Sequence, residues 1–141
     1  MIDLQQARRE AADRFLAVGM AHLPEGWTYT FRKSLTGRCY CQRKHIDAPR
    51  PVTRKALYIW LHECAHAHLH AGCAAGKPVH VKEHEAEMWA HATMRAHGVP
   101  VPKTMTDRAK RYVASKIGRA IRNGATSIDG AALRFATRRK P

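Results

Sequence analysis

Two histidines and a glutamate stand close together near the middle of the chain, as His62-Glu63-Cys64-Ala65-His66. On a helix, residues four apart lie one turn apart on the same face. Two imidazoles so placed can ligate one Zn²⁺ at about 2.0–2.1 Å each. Glu63 follows His62 directly, so it falls beside such an ion and not on it. There it can act as general base toward a water whose pKa the zinc lowers to about 7. The surrounding sequence is apolar, YIWLHECAHAHL. Histidine and glutamate on such a helix are costly to bury unless they are paired or bound to metal.

A zinc site needs a third protein ligand. The pattern HExxHxxGxxH would require glycine at 69 and histidine at 72, where this chain has Leu69 and Gly72, so it is excluded. A glutamate from a second helix is the alternative, and residues 82–90, KEHEAEMWA, supply one. Glu83, Ala86, Glu87 and Ala90 share one helix face, and the alanines allow close approach to the HExxH helix. Glu83 is the expected third ligand. Glu87, one turn on, is expected to orient a ligand histidine through its ring N–H. The reverse assignment, with Glu87 on the metal, stays open, as does replacement of Glu83 by His80 or His84. Hydrolysis would also need a donor for a developing oxyanion; Tyr58, Tyr112 and His97 are the candidates.

A mainly helical α+β fold with a small antiparallel hairpin or sheet is expected to carry these groups. Residues 3–20 have helical apolar spacing, with Asp3 as cap and Gln6 placed to complete a capping box. Residues 27–33 (WTYTFRK) and 38–46 (RCYCQRKHI) read as two strands joined by a turn at 34–37. Thr53 caps a helix over 53–71, the strongest in the chain, with an apolar face that marks it as central. Further helices are expected over 81–97, 106–123 and 127–138, the first two separated by the extended VPVP connector at 99–102, with Ala109, Tyr112, Val113, Ile117, Ala120 and Ile121 as the apolar stripe of 106–123. Residues 1–102 then form a metal-binding core, and 103–141 a basic helical extension packed on the same single domain.

The net charge is +14, and it is uneven. Residues 103–141 hold 11 Lys and Arg against Asp107 and Asp129, whereas residues 1–102 hold 14 against nine acids. Such a surplus points to a polyanionic partner, DNA or RNA first among them. Arg108, Lys110, Arg111, Lys116, Arg119, Arg122, Arg138, Arg139 and Lys140 are the candidate phosphate contacts. Cys39, Cys41, Cys64 and Cys73 form no paired CxxC framework and are expected as free thiols in a reducing compartment, with a Cys39/Cys41 metal clip as a minor alternative. No apolar run approaches the length of a membrane span. The first residues lack the basic-then-apolar layout of a secretory signal, so a cytoplasmic protein is expected.

HECAH followed by EHEAEMWA resembles the ImmA/IrrE-type metallopeptidases, which pair HExxH with a second helix of the form E-x-x-A-N-x-F-A. Glu83 matches their glutamate ligand, Ala86 and Ala90 their alanines and Trp89 their aromatic residue, while Glu87 stands where asparagine is frequent. Helix, hairpin, HExxH helix and glutamate helix in that order are similar to a minimal gluzincin-type zincin layout over roughly residues 27–97. The chain also resembles small phage and prophage proteins, which would place it in a bacterial host cell. What the resemblance implies is a Zn²⁺-dependent peptidase acting on a protein or peptide substrate, with a DNA-associated protein as one target. SprT-like proteases are a looser relative; they use a third histidine that has no counterpart here. The competing expectation is a non-catalytic, zinc-stabilised basic protein that binds nucleic acid or a host nucleoprotein complex in a regulatory or anti-defence role.

Overall fold

The computed structural model describes residues 3–71 and 76–138; Cys73, Arg139 and Lys140 lie outside them. The described residues form five helices and a three-stranded mixed sheet that packs on α2: α1 (Leu4–Ala21), β1 (Thr28–Arg32), β2 (Arg38–Tyr40), β3 (His45–Pro49), α2 (Arg54–Leu69), α3 (Val79–Ala96), α4 (Lys103–Arg122) and α5 (Gly130–Thr137). Among the described residues, no helix is long and apolar enough to cross a membrane.

The sheet corrects the expected hairpin. Its order is β1-β3-β2, with β1 parallel and β2 antiparallel to β3, so the first two strands never pair. The segment read as one strand over 38–46 is broken by a turn at 41–44, with Lys44 at φ +50°. Burial accounts for the order. Ile46 and Ala48 are fully buried on β3, and neither neighbouring strand has a fully buried side chain. The most buried strand therefore takes the middle place against α2.

Thr53 caps α2 as expected, its side chain accepting from the Ala56 amide. This helix is buried on nearly every side, with Leu57, Trp60, Leu61 and Cys64 removed from solvent. The Trp60 indole N–H donates to the Gly19 carbonyl at 2.7 Å, which ties α2 to the end of α1. A Cβ at Gly19 would lie 2.7 Å from Pro51 Cγ, so only glycine permits this approach. Asp3 caps α1 through the Gln5 amide, but Gln6 bonds Glu10 and no capping box forms. Gly98 and Gly124, at φ +70° and +87°, follow the ends of α3 and α4 in left-handed conformation.

Helix α4 spans two clusters. Met105 and Ala109 belong to the main core, while Val113 and Ile117 pack with Ala132 and Phe135 of α5. Tyr112 and Ile121, read from the sequence as part of the apolar stripe, are 40% and 58% exposed, because the buried stripe runs 105, 109, 113, 117. That shift turns Tyr112 toward the cleft described next.

Candidate metal centre

Helices α2 and α3 lie side by side and antiparallel, as the contacts 58 with 91, 62 with 87 and 66 with 83 show. Ala86 and Ala90 are fully buried between them, and their small side chains permit the close approach. His62 and His66 project toward Glu83 across this seam. The two Nε2 atoms are 3.1 Å apart, and Glu83 Oε2 lies 3.1 Å from that of His62 and 3.3 Å from that of His66. These edges form a nearly equilateral triangle. Three ligands of a tetrahedral ion with bonds of ~2.05 Å would be about 3.3 Å apart, so the donor set fits zinc in both spacing and chemistry. Among the described residues this is the only group of three or more His, Cys, Asp or Glu donors close enough to share an ion.

The far sides of the two imidazoles are also engaged. His62 Nδ1 lies 2.8 Å from Glu87 Oε1, a close charge-assisted contact bent away from the ideal N–H direction. Glu87 in turn accepts from the Tyr58 hydroxyl. His91 lies 3.1 Å from that hydroxyl through Nδ1, which also reaches the Glu87 carbonyl at 2.7 Å, and its Nε2 meets Thr106 Oγ1 of α4 at 2.9 Å. His66 Nδ1 meets His70 Nδ1 at 2.9 Å. With Nδ1 turned toward these partners, each of the two rings presents its Nε2 to the triangle.

Electrostatics follow this wiring. Burial opposes charge on His62, but Glu87 and Glu83 outweigh it and hold its pKa well above the ordinary imidazole value. Burial likewise works against the ionised form of Glu83, yet hydrogen bonds to His62 and His66 keep its pKa well below the usual carboxylate range. For Glu87 the His62 charge again wins over burial and lowers the pKa. Glu63 behaves in the opposite way. Its burial dominates and raises the pKa, only partly offset by His62 and His66. A carboxylate moved toward neutrality is better matched to proton transfer than an ordinary one. Gly37 of the β1–β2 connection leaves room for it: a Cβ there would lie 2.8 Å from Glu63 Cγ and 2.9 Å from Oε2.

These groups form the floor of a cleft of about 720 Å³ between the β2 region and α4. Of the three oxyanion candidates, two line the cleft, Tyr58 buried and Tyr112 partly exposed. Tyr112 lines the cleft with its ring 6.4 Å from that of His62, and burial, followed by the repulsion of Glu83, Glu63 and Glu87, pushes its pKa up to about 12. It therefore remains a hydroxyl donor at neutral pH. Tyr58 is buried and committed to Glu87, which makes it a support for the site. His97 does not line the cleft; it sits at the end of α3, its Nε2 2.9 Å from that of His22. Nor do His80 and His84 join the triad. His80 Nε2 accepts from the Asp129 amide, and the His84 ring packs by Phe135.

Cys39 and Cys41 line the same cleft with their sulfurs 3.5 Å apart, and with Cys64 they are free thiols. Burial, then the neighbouring Cys41, pushes the Cys39 thiol far above its ordinary pKa. Of the expected phosphate contacts, Arg108 lines the cleft, and Arg111, Arg119, Arg122 and Arg138 are exposed. Lys110 bonds the Arg138 carbonyl, and Lys116 lies over the Tyr112 ring.

Sequence reasoning gave no role in the site to His70, His91, Thr106 or Gly37. The signal for two of them was present: His70 is four residues beyond His66, and His91 four beyond Glu87, so each continues a helix stripe already identified. Comparison with protein-family models, curated proteins and solved structures returned no significant match.

Proposed function

We propose that this chain is a zinc-dependent peptide hydrolase, with His62, His66 and Glu83 as ligands and Glu63 as general base. The observation that carries the reading is the triangle of three donor atoms at 3.1, 3.1 and 3.3 Å with a buried carboxylate beside it. The HECAH and EHEAEMWA resemblance to the ImmA/IrrE-type metallopeptidases agrees with it.

A divalent ion held there would lower the pKa of a water and polarise a substrate carbonyl. Glu63 accepts the proton of the attacking water and delivers it to the leaving amine. Tyr112 donates to the oxygen on which charge develops. Glu87, held by Tyr58, keeps His62 oriented, and His70 does the same for His66. The apolar packing of α2 fixes the backbone under all of these groups.

Two measurements test this. Purified protein should carry about one zinc per chain, and His62→Ala should lose it. Wild-type protein should cleave an unfolded protein substrate, and Glu63→Gln should not. Equal cleavage by the two proteins would remove Glu63 from the mechanism and the hydrolase reading with it.

A further inference from the structure

We propose that the cleft and the adjoining side of α4 form one cationic track, which binds an extended polypeptide through a run of acidic side chains beside the bond presented to Glu63. The use of the cleft floor rests on the hydrolase reading; the track itself does not.

Three cations line the cleft from three elements: Arg38 of β2, Lys82 of α3 and Arg108 of α4. Among the described residues none of them is in a salt bridge, whereas Arg32, Lys77 and Lys103 elsewhere each have a carboxylate partner. The carboxylates of the cleft are already engaged. Glu83 and Glu87 belong to the histidines, and Glu63 is buried against Gly37. With a divalent ion in place the lining is net positive, and its cationic walls lack an anion.

Helix α4 carries the charge outward. Tyr112, Lys116 and Arg119 follow Arg108 at i+4, i+8 and i+11, on one side of the helix. The Lys116 ammonium lies 5.0 Å from the centre of the Tyr112 ring. From Arg108 to Arg119 the helix rises about 16 Å, which an extended peptide covers in about five residues. An acidic run of that length, beginning just outside the cleft, matches the track.

The floor decides between polypeptide and nucleic acid. It holds three glutamates, and a phosphate backbone brings negative charge with every nucleotide. A polypeptide can set a neutral residue over the floor and keep its acids on the track. Cationic side chains with no carboxylate of their own then select for the acids through long-range attraction that weakens with salt.

The test uses the full chain carrying Glu63→Gln, loaded with zinc, and fluorescent peptides read by anisotropy. One peptide has a run of glutamates flanking a neutral segment; its counterparts have glutamine or lysine in the same places. The glutamate peptide should bind roughly tenfold more tightly than the glutamine peptide. Arg108→Glu with Arg119→Glu should abolish that preference and favour the lysine peptide, and the milder Arg108→Gln with Arg119→Gln should reduce it. Equal binding of the glutamate and glutamine peptides overturns the proposal. So does a preference that survives charge reversal, or a single-stranded oligonucleotide of matched charge that binds more tightly than the glutamate peptide. Mass spectrometry of the same peptides with wild-type protein separates the two readings. Preferential binding without cleavage removes the hydrolase and leaves the track; cleavage without acidic preference does the reverse.

Discussion

Exchanging Glu83 and Glu87 for glutamine, one at a time, should weaken zinc binding by clearly different amounts. Both are glutamates on the same face of α3, one turn apart, yet they meet His62 on opposite sides of its ring. Glu83 Oε2 lies near the Nε2 atoms of His62 and His66, at 3.1 and 3.3 Å, while Glu87 Oε1 lies 2.8 Å from His62 Nδ1. Glu83→Gln replaces the one anionic donor of the three by a neutral amide oxygen, a poor ligand for zinc. Protein-bound structural zinc is worth about 10–16 kcal/mol, so a third of it is about 3–5 kcal/mol, or roughly 10²- to 10⁴-fold in affinity. Glu87→Gln keeps an oxygen able to accept from the His62 ring and removes only its charge. Loss of such a supporting partner costs about 10- to 100-fold, or ~1.4–2.7 kcal/mol. Glu63→Gln should leave zinc affinity nearly unchanged, since Glu63 is beside the triangle and not part of it. Competition against a chromophoric zinc chelator at neutral pH measures all three on one scale. If Glu87→Gln weakened binding more than Glu83→Gln, the ligand assignment would be inverted and the geometric reasoning refuted.

Three further outcomes are expected. Gly37→Ala should retain zinc but lower turnover by about tenfold or more, because its Cβ would press 2.8 Å from Glu63 Cγ and displace the base; unchanged turnover would show that the carboxylate has room to move. Zinc uptake at neutral pH should release protons and strengthen as pH rises, because His62 of the metal-free protein has a raised pKa and must lose its proton to become a ligand. The same raised pKa stabilises the metal-free fold fully below the unfolded histidine value of about 6.5, and this contribution fades as pH climbs through the folded value. Calorimetry in buffers of different ionisation enthalpy reads the protons released, and none released would contradict the assigned charge state. Trp60→Phe should lower the unfolding free energy by about 0.5–1.5 kcal/mol, since it removes the indole hydrogen bond to the Gly19 carbonyl, which keeps the His22 amide as its donor; a chemical denaturation curve checks it.

How much could be read in advance depended on the range of the interactions involved. Helical spacing is local, so the faces of α2 and α3 were legible, and with them the donors His62, His66 and Glu83. The resemblance to a known zincin layout pointed to the same pair of helices. Strand order is not local. Nothing within residues 38–46 shows that the segment divides at 41–44, because the division is driven by burial of Ile46 and Ala48 against a helix that comes later in the chain. Tyr112 was misplaced on the apolar stripe because one helix position changes the facing by about 100°, and only packing against α3 and α5 fixes which side of α4 is inward. The support of the ligands was half legible. His70 and His91 obey the same four-residue arithmetic as the ligands, but the arithmetic does not say which stripe residues are wired together. Thr106 shows the limit most clearly. It reaches His91 only because the VPVP connector turns α4 back across α3, and through His91, Tyr58 and Glu87 it joins the basic helix to His62. Charge and site, read from the sequence as two separate features, are therefore parts of one packed unit.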